Sequence, residues 1–268
     1  MIILIPMGGK GTRFLDAGYT TDKASIATTD RHTGNKFPMI ICAMKDIPDI
    51  SQGSNKIICV DRKFHEENGL EQVILDEFAN TLFIHDHVML DQAFGCFLSR
   101  EFLNSDEEIF IAACDSGMDL DIEKFNNLKK SSDAIMLSHT NNTYIYENSN
   151  AHSWAEIDSK TQKIIKMSIK QTVSDNPMND HATTGIFWFK SARIFLEYLE
   201  KMIWSKDTYD NKYYVDKVLQ YYIDDGKTVN YCDVNYICWG TPKDYENYER
   251  TLAYWQEFHE KEPWTHLK

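Results

Sequence analysis

Long hydrophobic runs are missing from this sequence. The longest apolar runs, such as residues 2–7 and 57–60, are far shorter than the ~20 residues that a helix needs to cross a bilayer. The chain also lacks a basic opening segment followed by an apolar one, which is the pattern of a secretory signal peptide. We therefore expect a cytoplasmic protein with no membrane partner.

Cysteine pairs with the spacing of metal or redox sites are also absent. Six cysteines occupy positions 42, 59, 96, 114, 232 and 238, mostly within apolar stretches and without a CxxC pair. This pattern favours buried, reduced thiols over a zinc site or a disulfide framework.

Positive charge is scarce, because 28 lysines and arginines face 41 acidic residues and leave a net charge of −13. Nucleic-acid binding requires basic surface, so we expect no nucleic-acid partner. The first 36 residues differ, with five basic and three acidic side chains and a charge of +2. The rest of the chain, with 23 basic and 38 acidic side chains, carries −15. This distribution indicates a small anionic ligand near the N-terminus.

The sequence does contain short apolar strands that alternate with segments of helical length. The predicted strands are residues 2–6, 56–60, 81–84, 109–113 and 134–137, and the helices between them include residues 70–78 and 93–102. This alternation predicts an α/β fold with a Rossmann-like, mostly parallel sheet flanked by helices. Ligands of such sheets bind at the carboxyl ends of the strands, where Gly8 and Asp115 would both lie.

The pattern changes at about residue 140. The segments that follow are predicted strands at residues 143–147, 154–157, 164–169, 184–189 and 229–236, and predicted helices at residues 191–204, 213–223 and 243–259. Strands joined by polar turns predict a smaller, mixed or antiparallel lobe. No repeat, low-complexity tract or linker separates the two parts, so we expect a single domain over residues 1–268.

A glycine-rich loop follows the first strand directly. Its residues are Met7, Gly8, Gly9, Lys10, Gly11, Thr12, Arg13 and Phe14. The three glycines let the backbone N–H groups approach phosphates, and Lys10 and Arg13 supply charged donors. The loop matches neither the P-loop pattern nor GxGxxG. It is predicted to bind a triphosphate.

The first strand, the GGKGTRF loop and a later lysine resemble the sugar-phosphate nucleotidyltransferase family, in which a GGxGxRF loop precedes a lysine-bearing segment. The resemblance extends over roughly residues 1–250. Lys23 matches the family's triphosphate-contacting lysine, and Lys36, which follows an insertion, is the competing position. Lys36 is equally compatible with a solvated turn.

Further positions match the family's functional segments. Asp115 ends an apolar strand where the family has its metal-binding aspartate. Residues 90–93 (Leu-Asp-Gln-Ala) stand where a segment faces the nucleotide base, so the resemblance assigns Gln92 to that contact. Gly185 matches a strand beside the acceptor, and Lys170 matches an acceptor-binding lysine.

The closing element of the family resembles the segment Trp239-Gly240-Thr241-Pro242, but Cys238 stands where an aspartate frequently precedes that element. A second metal-binding carboxylate must therefore come from elsewhere. Asp233, on the predicted strand 229–236, is the candidate and Asp216 the alternative, and either can be an ordinary surface acid.

The resemblance implies an Mg²⁺-dependent enzyme that transfers an NMP from an NTP to a phosphorylated small molecule and releases pyrophosphate. It implies a GT-A-like fold, with a nucleotide-binding half at residues 1–140 and an acceptor-binding half and C-terminal helices at residues 141–268. Arg13 would bind the β- and γ-phosphates and Lys23 the α-phosphate. We expect CTP as the nucleoside triphosphate. The expected acceptor is a sugar 1-phosphate or a related precursor of a capsular or other cell-surface glycan. The expected oligomeric state is a homodimer.

Two other functions remain open. One is a metal-dependent GT-A glycosyltransferase that uses a nucleotide-sugar, and the other is a catalytically silent nucleotide-binding or regulatory subunit. Residues 119–121 spell the DxD of glycosyltransferases, but an N-cap for the next helix explains them well. Residues 85–87 (His-Asp-His) could hold a metal, yet alternate residues point in different directions, which favours a solvated loop.

Overall fold

The computed structural model describes residues 1–88 and 91–261, apart from the side chains of residues 146, 147 and 259–261. The strands are β1 (Ile2–Pro6), β2 (Ala27–Thr29), β3 (Lys36–Pro38), β4 (Lys56–Asp61), β5 (Thr81–His85), β6 (Ile109–Ile111), β7 (Ser116–Asp119), β8 (Ala134–His139), β9 (Trp154–Ile157), β10 (Ile164–Ser168), β11 (His181–Phe189), β12 (Val229–Asp233) and β13 (Asn235–Cys238). The helices are α1 (Thr12–Asp16), α2 (Met39–Lys45), α3 (Lys63–Glu67), α4 (Leu70–Glu77), α5 (Gln92–Leu98), α6 (Arg100–Leu103), α7 (Ile122–Lys129), α8 (Thr143–Glu147), α9 (Ala192–Trp204), α10 (Val215–Asp224) and α11 (Pro242–Lys261).

Within the described residues, nine strands form one sheet that continues from the first half of the chain into the second. Strands β5, β4, β1 and β6 are neighbours in that order and run parallel. Strand β11 is antiparallel to β6 and β8, and β12 is parallel to β8. The β9–β10 hairpin pairs with the first residues of β11, beyond the end of β6. The expected α/β fold with a mixed second lobe is confirmed.

The apolar strands are buried on both faces of the sheet, which is why they read as continuous hydrophobic runs. In β1, Ile2 and Leu4 pack in one cluster with helices α5, α9 and α10. Ile3 and Ile5 pack in the opposite cluster with α2, α4 and α7. The strict alternation follows from the two-residue period of a strand. Because β1 runs parallel to β4 and β6, the loop after Pro6 lies at the carboxyl edge of the sheet.

Three predicted elements were wrong in kind or in continuity. Residues 143–147 form helix α8, because the Asn142 side chain accepts a hydrogen bond from the Tyr144 backbone N–H and caps a helix. The predicted helix 93–102 is interrupted at Ser99, whose hydroxyl donates to the Cys96 carbonyl. The predicted strand 229–236 consists of β12 and β13, which belong to different sheets and separate at Val234.

Two small antiparallel sheets flank the main one. Strands β2 and β3 form a hairpin, and β7 pairs with β13, so the segment after Asp115 is joined to the closing segment of the chain. Asp121 caps α7 by accepting from the Lys124 N–H, which confirms the N-cap interpretation of residues 119–121. In the described ranges, no helix is both long enough and apolar enough to span a bilayer.

Candidate active site

A cavity of about 540 Å³ opens at the carboxyl edge of the parallel strands, between the glycine-rich loop and the second lobe. Many of the residues singled out in the sequence line it. They are Met7, Gly8, Gly9, Arg13, Lys23, Gln92, Asp115, Lys170 and Gly185. Cavities of this size are typical of small-molecule sites.

An ion pair lies at one wall of the cavity. Lys23, in a short 3₁₀ helix capped by Asp22, places its Nζ atom 2.7 Å from Oδ2 of Asp115, which follows β6. Burial opposes the charged form of Lys23, but Asp115 outweighs it and the pKa of Lys23 is raised. Burial likewise opposes ionised Asp115, but Lys23 and Arg13 lower the pKa of Asp115. Both groups therefore stay charged at neutral pH.

The glycine-rich loop fits closely against its neighbours. A Cβ atom on Gly8 would lie 2.9 Å from Oδ2 of Asp86, and one on Gly11 would lie 3.0 Å from Cβ of Lys23. Gly11 also has a φ of 62°, a conformation that favours glycine. Gly9 has no neighbour within 4 Å of such an atom. Two of the three glycines thus let the loop pack against the cavity wall.

This packing predicts different effects for two adjacent substitutions. Gly8→Ala is expected to lower the free energy of unfolding by about 1–3 kcal/mol, because the methyl group would overpack the buried Asp86. Gly9→Ala, the matched control at an exposed and open position, should change it by less than about 0.5 kcal/mol. Urea denaturation of both variants measures the difference, and equal free energies would contradict the packing argument.

Two predicted residues of the opposite wall contact each other. Gln92, at the start of α5, donates from Nε2 to the carbonyl oxygen of Gly185 at 2.8 Å. Gly185 has a φ of 78° at an irregularity in the pairing of β11 with β8, which exposes this carbonyl to α5. Asp91 caps α5 and also accepts from the Tyr213 N–H. Leu90, from the same sequence segment, lies outside the described residues.

Lys170 lies at the far end of the cavity, in the second lobe. Its Nζ atom donates to the carbonyl of Ala151 and lies 5.2 Å from the centre of the Tyr214 ring. Burial lowers the pKa of Lys170, and Asp216 partly opposes this effect. Asp216 is buried, its Oδ1 atom has no hydrogen-bond donor among the described residues, and burial raises its pKa.

Several residues of this end were not identified as site residues from the sequence. They are Tyr144, His152, Tyr213, Tyr214 and Tyr236. Tyr213 and Tyr214 were assigned to a helix, but they precede α10 in extended conformation and thereby reach the cavity. Asp216 was named only as an alternative metal ligand. The tyrosine-rich composition of this segment was the available signal.

Five of the predicted site residues lie outside the cavity lining. Lys10 and Thr12 are exposed, and Gly11 lies next to the Cβ atom of Lys23. Lys36, on β3, is paired with Glu249 of α11 at 2.5 Å. Asp233, at the end of β12, accepts from the Ser138 hydroxyl at 2.7 Å and lies 2.8 Å from Nδ1 of His181.

The cavity is lined by more acidic than basic residues, although the N-terminal segment that contributes to it carries a net positive charge. Arg13, Lys23 and Lys170 are the basic lining residues, and the acidic ones are Asp22, Asp86, Asp91, Asp115, Asp216 and Asp244. Of the remaining cations in the first 36 residues, Arg31 is paired with Asp46 and Asp119. A polyanion could therefore bind here only together with additional cations.

The fold is that of the nucleotide-sugar pyrophosphorylases and sugar-phosphate nucleotidyltransferases. The chain is similar to a nucleoside-diphosphate-sugar pyrophosphorylase from Vibrio cholerae RC9, with a TM-score of 0.72 and 18% identity over 92% of this chain and 99% of that one. It is also similar to the inositol-1-phosphate CTP transferase from T. maritima, with a TM-score of 0.63 and 17% identity over 92% and 93% of the two chains. A UDP-glucose pyrophosphorylase complexed with UDP-glucose gives a TM-score of 0.69 and 15% identity over 96% and 98%.

No protein-family model matches the sequence, and no curated protein matches it. At sequence identities of 15–18%, the structural similarity shows a shared fold. This is the fold that the resemblance of the glycine-rich loop implied.

Proposed function

We propose that this protein is a nucleotidyltransferase that transfers an NMP from an NTP to a phosphorylated small molecule and releases pyrophosphate. The observation that carries the proposal is the Lys23–Asp115 ion pair beside the glycine-rich loop, in a cavity of about 540 Å³. The fold shared with a nucleoside-diphosphate-sugar pyrophosphorylase and an inositol-1-phosphate CTP transferase supports the same reaction.

The reaction is an in-line attack of an acceptor phosphate oxygen on the α-phosphorus, so catalysis consists mainly of positioning two anions and neutralising their charge. The amides of Gly8 and Gly9 and the guanidinium of Arg13 would bind the β- and γ-phosphates. Lys23 would contact the α-phosphate, where charge increases in the transition state. Its ion pair holds the ammonium at the cavity wall before the substrate arrives.

The residues present fit Mg²⁺, which prefers oxygen ligands and often takes one or two carboxylates with phosphate oxygens. Asp115 would bind the ion, since its carboxylate lines the cavity and its contact with Lys23 is made through Oδ2. Asp244 is a second cavity carboxylate and accepts from the Thr241 hydroxyl. When bound, Mg²⁺ neutralises phosphate charge. This neutralisation is needed because the six aspartates that line the cavity would otherwise repel the phosphates.

The acceptor would bind between residues of the second half of the chain, with Lys170 on its phosphate and tyrosine rings against its apolar face. Phosphorylated sugars, above all sugar 1-phosphates used for capsular or other surface glycans, have this combination of charge and apolar ring faces. Gln92 would lie on the base side, and CTP is the first triphosphate to test. Residues 1–140 and 141–268 would thus divide into nucleotide and acceptor halves.

The proposal predicts pyrophosphate release in one combination of a substrate matrix. Four NTPs are assayed against phosphorylated sugars, polyols and amino acids with Mg²⁺, and the active pair should give one NDP-linked product per pyrophosphate. EDTA should abolish the activity, and the product with added pyrophosphate should regenerate the NTP.

Two outcomes would favour the other functions. Cleavage of a nucleotide-sugar to NDP with transfer of the sugar to a hydroxyl would indicate a glycosyltransferase. Saturable NTP binding in calorimetry without turnover for any acceptor would indicate a catalytically silent subunit.

A further inference from the structure

A second group of possible metal ligands lies on the same edge of the sheet, at the ends of the two strands next to β1, the strand that precedes the glycine-rich loop. Asp61 ends β4, His85 ends β5 and is its direct partner in the sheet, and Glu71 lies in the first turn of α4. One ligand atom from each residue lies within 4.8 Å of the other two. Nε2 of His85 is 2.8 Å from Glu71 Oε1 and 3.9 Å from Asp61 Oδ1.

The carboxylate of Asp61 lacks the partners that a buried charge requires. Asp61 is 0% exposed, and neither of its oxygens accepts a hydrogen bond from any described residue. An unpaired buried carboxylate is costly, and such groups are normally paired or coordinate a metal. Two imidazole nitrogens lie within 4 Å of it: Nδ1 of His65 at 3.5 Å and Nε2 of His85 at 3.9 Å.

His65 is already engaged by other groups. Its Nε2 atom lies 2.9 Å from Oδ1 of Asp22, and its Nδ1 atom accepts from the Arg62 N–H at 3.3 Å. The same Nδ1 atom lies 3.5 Å from Oδ2 of Asp61 but is taken up by the Arg62 N–H, so the structure shows no hydrogen bond from His65 to Asp61. The Arg62 guanidinium is directed to Asp22.

Glu71 adds a second carboxylate beside Asp61. One oxygen of Glu71 lies within 4.8 Å of an oxygen of Asp61. Nε2 of His85 is near both carboxylates, at 2.8 Å from Glu71 and 3.9 Å from Asp61. A divalent cation would neutralise both charges and supply what Asp61 lacks.

We propose that Asp61, Glu71 and His85 bind a divalent transition-metal ion of the Zn²⁺ class. Two carboxylate oxygens and one imidazole nitrogen suit Zn²⁺, whereas Mg²⁺ and Ca²⁺ take oxygen ligands almost exclusively. The site is separate from Asp115 and uses none of the residues assigned to nucleotidyl transfer. It also revises the sequence interpretation, because His85 is half-buried and Asp86 buried, and only His87 is exposed as a solvated loop residue would be.

The position of the site gives the ion a structural consequence. The Asp61 carbonyl accepts from the Asp86 N–H at 2.5 Å, and the Asp86 side chain packs against Gly8. An ion that joins β4, β5 and α4 would brace the wall on which the glycine-rich loop rests. Because the unfolded chain does not assemble the three ligands, bound metal stabilises the folded protein.

The test is metal binding by the tag-free full-length chain, without nucleotide or Mg²⁺. The protein is stripped with a chelator, desalted, and titrated with Zn²⁺ against a chromophoric competitor. Co²⁺ then serves as a spectroscopic probe. We expect one Zn²⁺ per chain, a raised melting temperature, and visible Co²⁺ bands that Zn²⁺ displaces.

Asp61→Asn and His85→Gln should each weaken Zn²⁺ binding more than about tenfold, while circular dichroism confirms that they fold. His87→Gln, which removes an exposed histidine two residues away, is the matched control and should bind as the wild type does. Absence of a one-to-one Zn²⁺ site in the wild type, or equal Zn²⁺ affinity in Asp61→Asn, would overturn the proposal. The carboxylates of Asp61 and Glu71 would then be stabilised by protons shared with His85 and not by a metal ion. Asp115→Asn should keep the Zn²⁺ site, so failure of the proposed transferase reaction would be distinguished from failure of this inference.

Discussion

Replacing Asp115 by asparagine is expected to reduce turnover at least about a hundredfold. The substitution keeps the size of the side chain and removes the negative charge that would hold Mg²⁺, a loss equivalent to several kcal/mol of transition-state stabilisation. It also leaves the Lys23 ammonium without its partner at 2.7 Å. Turnover is measured at saturating NTP, acceptor and Mg²⁺ in the pyrophosphate-release assay.

The fold should survive this change, because Lys23 and Asp115 lie at the cavity edge with side chains 18% and 28% exposed. Thermal denaturation of the variant provides the check. Asp119→Asn is the matched control, since Asp119 lies on β7 just beyond Asp115 but is exposed and pairs with Arg31 outside the cavity. Turnover of Asp115→Asn within about threefold of the wild type would show that the metal assignment is wrong.

The parts of the fold that could be predicted from the sequence are those encoded locally. Strand β1 is a continuous apolar run because both of its faces are buried, and the glycine-rich loop follows it without a gap. Strands β4 and β8 were found for the same reason, each within two residues of its observed end. Long amphipathic helices such as α9 and α11 show the helical period over many residues and were found as well.

The missed elements depend either on a remote pairing or on a single capping side chain. Strand β7 is short and partly polar, and it becomes a strand by pairing with β13 across more than 100 residues. The same pairing places β13 in a different sheet from β12, with which the sequence analysis had joined it. Helix α8 has the β-branched and aromatic composition of a strand, and a single capping side chain, Asn142, decides against it. The hydrophobic periodicity of a segment does not reveal that it pairs with a remote strand. It also does not reveal that a capping side chain will favour a helix over the strand that the composition suggests.

The candidate site divides in the same way. Arg13 was identified from a contiguous loop pattern and Lys23 from the family resemblance of the segment that follows it, and both line the cavity. Asp216 and the tyrosines of the acceptor end come from α8, α10, β13 and the residues before α10, and they converge only in the folded chain. The partnerless carboxylate of Asp61 is likewise a tertiary property, because its neighbours His85 and Glu71 come from separate elements.

The choice between the two N-terminal lysines gives the second large expected effect. Lys23→Met should lower turnover about a hundredfold, because a positive donor to the α-phosphate is worth most where charge develops in the transition state. Methionine keeps an unbranched side chain that is one atom shorter than lysine, and it removes the charge. Lys36→Met, the same change at a lysine that is 55% exposed and paired with Glu249, should leave turnover within about twofold.

Both variants are compared at saturating substrates, so that weaker NTP binding does not count as slower chemistry. The Lys23 variant also leaves Asp115 without its ammonium partner, and bound Mg²⁺ should compensate for that charge. If Lys36→Met has the turnover defect and Lys23→Met does not, the hairpin of β2 and β3 must move to bring Lys36 to the phosphates, and the catalytic lysine is Lys36. If neither has a defect, the phosphate contacts of the proposed reaction do not include this part of the chain, and the role assigned to the Lys23–Asp115 pair is wrong.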